Sequence, residues 1–425
     1  MDITVNEDTA TKAISHIIQD ELTEKEFEAA ALYVKGYSEQ SFYWFCRHVL
    51  NLTKLSRNHA EWCNEIQAKW ETTENFMRLK PRGTYKTTIY GIALILWVWA
   101  TKSTEARIFY TSSNGLLLLE VSDALSKYLN PASVYSRVFK IQRDSDSKNT
   151  NEIINITGRG EMKGFSLVLR TAGGSTAGVH PHMIIVDDPA DKADRESAAI
   201  RRQKESWFNS LLPLLVELQT GKGRISHKIY IATRWHMDDL TGYIINRNNK
   251  NREGKRWDID IEGVYNTDGS PRFTDIPEIG SLEAIQDLKN SMEETFFACQ
   301  YLNQVLTDGI QKFPKDRLHF YSTIDYKQGK NYCFFDPSRG KKTSDYPAVI
   351  WVNMYSGKTY LFDAIDEKIV LADLLKIIAK RNVQYNVVEM VYEDNGTTLI
   401  EETLKNEHGR YPILLPLLIL PALIS

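Results

Sequence analysis

An octapeptide at 81–88, PRGTYKTT, lies between a short strand-like run, Asn75–Lys80, and a long apolar stretch, Thr87–Ala100, that reads as a helix. A loop at a strand-to-helix junction offers free backbone N–H groups and the positive end of the helix to a phosphate. Arg82, Gly83, Thr84, Tyr85, Lys86, Thr87 and Thr88 are therefore candidates to hold the triphosphate of ATP. Lys86 can reach the β- and γ-phosphates, and the Thr87 hydroxyl can join the shell of a Mg²⁺ ion. The octapeptide departs from the pattern GxxxxGK[ST], with Tyr85 at the second glycine and Lys80 at the first. A surface turn with an incidental Lys-Thr pair is the plain alternative.

Well downstream, MIIVDD at 183–188 is a continuous apolar strand that delivers two carboxylates at its C-terminal end. Ligands of open α/β sheets bind at that edge. Asp187 would organise Mg²⁺, and Asp188 would orient or deprotonate an attacking water. A structural acid capping the next helix is the alternative. Between the two motifs lies a further strand, Arg107–Thr111, as in the ATPase class with an additional central strand. Another apolar strand, Lys228–Ala232, ends in Thr233 and Arg234, where a γ-phosphate sensor would stand. Phosphoryl transfer also calls for an arginine on the transition-state charge. Arg82, Arg159, Arg170 and Arg234 are the candidates, and sequence alone does not choose among them.

A second cluster lies near the C-terminus. Cys333–Phe335, Ala348–Met354 and Thr359–Asp363 read as strands, Val370–Arg381 as a helix and Asn386–Tyr392 as a fourth strand. Strand, strand, strand, helix, strand is the order of a ribonuclease H-like fold. Asp336 ends the first strand and Glu393 the fourth, with Asp345 in a turn between them as an accessory acid. Hard cations prefer oxygen ligands. Two Mg²⁺ or Mn²⁺ ions about 3.5–4 Å apart on such a cluster can activate water and stabilise the leaving oxygen of a phosphodiester.

The elements that must position these groups follow an α/β pattern. Residues 1–55 read as a helical segment, 56–244 as a P-loop ATPase core, 245–325 as a lid and linker, and 326–425 as an incomplete ribonuclease H-like domain. Continuous apolar strands alternating with helices imply a mostly parallel sheet covered on both faces. Within the linker, Leu282–Leu302 reads as one helix and Asn246–Arg256 as a basic surface loop. Arg247, Lys250, Arg252, Lys255 and Arg256 could touch nucleic-acid phosphates, since such contacts need only charge. The formal net charge of −3 confines any nucleic-acid contact to a local patch. Four scattered cysteines with no CxxC pair argue against a zinc site and for a reducing compartment. The polar, acidic N-terminus is no signal peptide. The apolar runs at 89–100 and 413–424 fall short of the ~20 residues that span a bilayer.

Taken together, PRGTYKTT, MIIVDDPAD at 183–191 and ATRWHMDDLTG at 232–242 resemble the large terminase subunit of tailed bacteriophages, the motor that packages viral DNA. RNHAEWC at 57–63, FFACQYLNQ at 296–304 and FFDPSRGKKTSDY at 334–346 extend the resemblance, in the family's order, over about residues 42–396. The resemblance implies ATP-driven translocation of double-stranded DNA into a procapsid, a C-terminal nuclease that cuts the concatemer, and a place for His59 on the adenine side. It also implies a portal protein and a small terminase subunit as partners, a ring of copies on the procapsid, no membrane, and residence in the cytoplasm of an infected or lysogenic bacterium. The family carries a third nuclease acid well beyond the fourth strand. Here the chain runs to Ser425 through ILLPLLILPALIS, with neither acids nor an amphipathic period. Weak or absent cutting is therefore expected, together with an exposed or misplaced tail. The alternatives are a helicase- or repair-type ATPase and a non-catalytic prophage remnant.

Overall fold

The computed structural model of the chain describes residues 6–20, 22–160, 164–174, 176, 178–250, 257–305, 319, 321, 325–336, 347–366, 369, 371–393 and 413–417. The chain divides into two compact units, 1–311 and 312–425. Among the described residues, no helix is long and apolar enough to cross a membrane.

The first unit opens with helices α1 (Glu7–Gln19), α2 (Glu24–Gln40), α3 (Phe42–Trp44), which continues into a π-helical turn at Phe45–Val49, and α4 (Arg57–Lys69). Strand β1 (Asn75–Leu79) follows. The helix after the loop at 81–86 starts as a π-helix, Thr87–Ala93, and becomes α5 (Leu94–Thr101). Then come β2 (Ile108–Ser112), α6 (Gly115–Tyr128), α7 (Val134–Phe139), β3 (Ile153–Ile154), β4 (Leu167–Thr171) and β5 (Met183–Asp187). Two helices follow, α8 (Lys192–Glu196) and α9 (Ala198–Leu211), separated at Ser197. The Ser197 hydroxyl accepts the Ile200 N–H and so starts α9. A small hairpin, β6 (Leu218–Thr220) with β7 (Gly223–Ile225), precedes β8 (His227–Ala232), α10 (Leu240–Lys250) and β9 (Trp257–Ile261). The expected single helix at 282–302 is two helices, α11 (Leu282–Asn290) and α12 (Glu294–Tyr301). Residues 246–250 of the loop expected at 246–256 belong to α10 instead; Arg252, Lys255 and Arg256 lie outside the described residues.

The main sheet has the order β3-β4-β2-β5-β8-β1-β9. All its pairings are parallel except β3 with β4. Such strands are buried on both faces, and alternate side chains serve two cores. Phe76, Tyr110, Ile185 and Ile229 enter the core shared with α1–α7, while Met77, Phe109, Ile184 and Tyr230 pack against Trp207, Phe208 and Leu211 of α9. The strand between β1 and β5 is β8, from later in the chain; β2, which separates them in sequence, lies on the far side of β5. The segment expected as lid and linker also supplies β9, the edge strand beside β1.

The second unit is a five-stranded sheet of order β12-β11-β10-β13-β14. Its strands are β10 (Lys330–Asp336), β11 (Ala348–Tyr355), β12 (Lys358–Asp366), β13 (Val387–Glu393) and β14 (Ile413–Leu417). Helix α13 (Leu371–Gln384) covers one face, placing Leu374, Leu375 and Ile378 in one core with Cys333, Trp351 and Met390. The apolar tail segment expected to be exposed or misplaced supplies β14, whose backbone pairs in parallel with β13.

Candidate functional site

The candidate phosphate loop, residues 81–88, is fixed from below by α4. The Ser56 N–H donates to Nδ1 of His59 (2.8 Å), so the ring proton sits on Nε2, which faces the Thr84 carbonyl at 3.1 Å. Burial lowers the pKa of His59 and keeps this donor neutral. The Thr84 hydroxyl closes the turn on the Pro81 carbonyl at 2.7 Å. Gly83 and Tyr85 both have positive φ, +81° and +59°. Tyr85 thus takes the left-handed backbone that the glycine of the common pattern adopts freely, at a cost of about 1–2 kcal/mol. Lys80, at the other glycine position, is buried and serves β9. It pairs with Asp260 and with Glu262 (3.1 Å) and lies over the Trp62 ring. Arg78 pairs with Asp258 at 2.6 Å in the same way. The strand Trp257–Ile261 alternates acid and apolar residues, a period-2 signal from which sequence reasoning could have found it.

The second of the two acids meets the lysine although β1 and β5 are not hydrogen-bonded neighbours. Lys86 Nζ lies 3.1 Å from Asp188 Oδ2. The other oxygen, Asp188 Oδ1, accepts the Thr233 N–H at 3.1 Å, and the Asp188 carbonyl accepts the Ser113 hydroxyl at 2.8 Å. Asp188 has φ +42°, a left-handed backbone that an aspartate tolerates. Asp187 is fully buried. Its Oδ2 accepts the Tyr110 hydroxyl at 2.5 Å. Its other oxygen, Oδ1, has no hydrogen-bond partner in the structure. Burial, then the neighbouring Asp188 charge, raises the Asp187 pKa to about 7, against the pull of Tyr110, Lys86 and Thr87.

A buried carboxylate oxygen without a partner, next to a threonine hydroxyl and a second acid, suits a hard cation that prefers oxygen ligands. Tyr110 reaches Asp187 because residue 91 is glycine: a Cβ there would stand 3.1 Å from the tyrosine oxygen. The sequence motifs did not reveal Tyr110, Ser113 or Gly91 as parts of the site.

Beside the loop opens a cavity of about 860 Å³, walled by Ser56, Arg82, Tyr85, Ile276, Leu288 and Tyr301 among others. His59 packs edge-on against Tyr85 at 5.7 Å, so the expected adenine-side residue supports this wall and the loop backbone together.

The four candidate arginines fall in different surroundings. Arg82 is exposed at the cavity, near Tyr301, whose pKa burial raises against the pull of the Arg82 charge. The Arg234 guanidinium is committed to Asp239 and to the His236 and Met237 carbonyls. Arg159 bonds the Gly164 carbonyl at 2.8 Å, and Arg170 pairs with Glu152. Thr87 and Thr88 are half-buried at the start of the π-helix, and Thr233 is buried at the end of β8.

In the second unit β10 and β13 are parallel neighbours with Phe335 opposite Tyr392. Asp336 and Glu393 each follow that pair by one residue, so the strand ends bring them together. Asp336 is exposed, the side chain of Glu393 is outside the described set, and Asp345 lies outside the described residues. Among the described residues there is no group of three or more His, Cys, Asp or Glu side chains placed to hold a metal ion.

The chain matches no known protein-family profile. It matches no curated protein either. Among solved structures it is similar to the HK97 bacteriophage large terminase, with a TM-score of 0.46 and 13% sequence identity over 85% of this chain and 80% of that one.

Proposed function

We propose that this chain is an ATP-driven translocase of double-stranded DNA, the large subunit of a viral packaging motor, with a metal-dependent nuclease module in its second unit. The observation that carries the reading is the contact of Lys86 with Asp188 at the C-terminal edge of a parallel sheet, directly beside the buried Asp187. ATP would lie along 82–88 with its base in the adjoining cavity. Lys86 would exchange Asp188 for the β- and γ-phosphates, and the freed carboxylate, still held by the Thr233 N–H, would orient and deprotonate water. Thr87 and Asp187 are the residues that would hold Mg²⁺, which supplies charge neutralisation at the phosphates. Arg82, exposed in the loop, would offset transition-state charge. In the second unit, Asp336 and Glu393, with Asp345 as an accessory, are the acids proposed to take Mg²⁺ or Mn²⁺. The motif resemblance supports the DNA substrate, the portal and small-subunit partners and the ring of copies.

The test is ATP turnover by the full chain. It should rise in the presence of a procapsid portal more than with forked DNA, and it should vanish in Lys86→Ala. Turnover retained in that variant removes the reading. Stimulation by forked DNA alone would move it to a helicase or repair ATPase.

A further inference from the structure

Helix α12 ends at the candidate site with spare acceptors. The last carbonyls of any helix have no partner within it. Here the Leu302 and Gln304 N–H groups both turn back to Ala298, and the carbonyls of Cys299 and Gln300 serve other parts of the fold. The Cys299 carbonyl accepts the Arg234 N–H (3.3 Å) and the Gln300 carbonyl accepts the Arg82 N–H (3.0 Å). The Gln300 side chain, 2% exposed, completes the junction. Its Oε1 accepts the Thr233 hydroxyl at 3.1 Å, and its Nε2 donates to the Arg234 carbonyl at 2.8 Å. Only an amide matches both needs, an acceptor for the hydroxyl and a donor for the carbonyl. One buried residue thus ties the phosphate loop to the end of β8. From there the Thr233 N–H holds Asp188, and Asp188 holds Lys86.

We propose that Gln300 is a positioning residue for ATP hydrolysis, fixing Thr233, and through it Asp188, relative to the phosphate loop. This rests on the ATPase reading above. The Gln300 side chain bonds no residue of the loop itself, so ground-state nucleotide binding does not depend on it. The placement of the water-orienting acid does, and a misplacement of about 1 Å costs on the order of a hundredfold in rate.

The experiment measures kcat and KM for MgATP and thermal unfolding for the full chain, Gln300→Met, Thr233→Val and the double variant. Methionine keeps the volume and removes both side-chain bonds. We expect Gln300→Met to lower kcat by about ten- to hundredfold with KM within about threefold and unfolding unchanged within a few degrees. We also expect the double variant to be no slower than the more impaired single one, because both changes break one linkage. An unchanged kcat in Gln300→Met, or losses that multiply in the double variant, overturns the proposal while leaving the ATPase reading intact. A parent chain that neither binds nor hydrolyses ATP overturns both. Should Gln300→Met fail to fold, Thr233→Val alone decides: a kcat loss at constant KM upholds the linkage, and parental turnover removes it.

Discussion

The two units place carboxylates at the ends of parallel strands by different means. In the first, Asp187 and Asp188 are built into the fold: a tyrosine hydroxyl, a lysine, a serine and a backbone N–H answer three of their four carboxylate oxygens and the Asp188 carbonyl. In the second, Asp336 is exposed, and the register of β10 on β13 sets its backbone beside that of Glu393. The first arrangement is pre-organised and carries an electrostatic cost, seen in the raised Asp187 pKa. The exposed Asp336 of the second is open to a cation from solvent. A site of the first kind should fail sharply when one group is removed, and a site of the second kind should depend on which metal is supplied and how much.

The sharpest test of that contrast is Asp188→Asn. Loss of the base should lower ATP turnover by about a thousandfold in a steady-state phosphate-release assay, with ATP binding preserved or tightened because Lys86 loses a competing carboxylate. A loss of tenfold or less would make Asp188 a structural acid. Next comes Asp336→Asn in the second unit. Nicking of plasmid by the parent in Mn²⁺ should be slow, and at least about tenfold slower still in the variant, while ATP turnover stays at the parental rate. Vigorous parental cutting would show that the acids near Asp336 need no further help.

A smaller effect concerns pH. The folded-state pKa of Asp187, about 7, lies above its ordinary value of 3.8, so the native state favours the bound proton. That contribution is complete below about pH 4 and is lost as pH rises through about 7. Nucleotide-free Asp187→Asn should therefore unfold several degrees above the parent at about pH 8 and level with it near pH 4. A gain independent of pH would mean that the carboxyl is not the strained group. The smallest effect is Tyr85→Gly. Relief of the left-handed backbone should add up to about 1 kcal/mol in chemical denaturation, less what the ring contributes against His59. A variant less stable than the parent would show that the ring outweighs the backbone.

Much of this was legible in the chain. MIIVDD and KIYIA are apolar runs long enough for buried strands, and each ends in polar residues at the edge where ligands bind. PRGTYKTT was visible as a strand-to-helix loop even without its glycines. The four-strand order of the second unit was readable as well, because short apolar strands bounded by turns leave a local signature. The π-helical start of the helix after the loop was not, since its pattern is the same as that of an α-helix. Neither was β14, because an apolar tail with two prolines reads more easily as a strand that lacks a partner than as one that has found it.

By itself the sequence determined which residues are apolar, with what period, and which acids and cations end each run; these are properties of neighbours along the chain. The tertiary structure decided that β8 comes between β1 and β5, that the Lys86 ammonium meets Asp188 rather than Asp187, and that a glutamine from α12 joins the loop to the strand end. Those outcomes depend on hydrogen bonds between segments far apart in sequence. Local periodicity carries no record of which strand lies beside which, so only the folded chain could fix them.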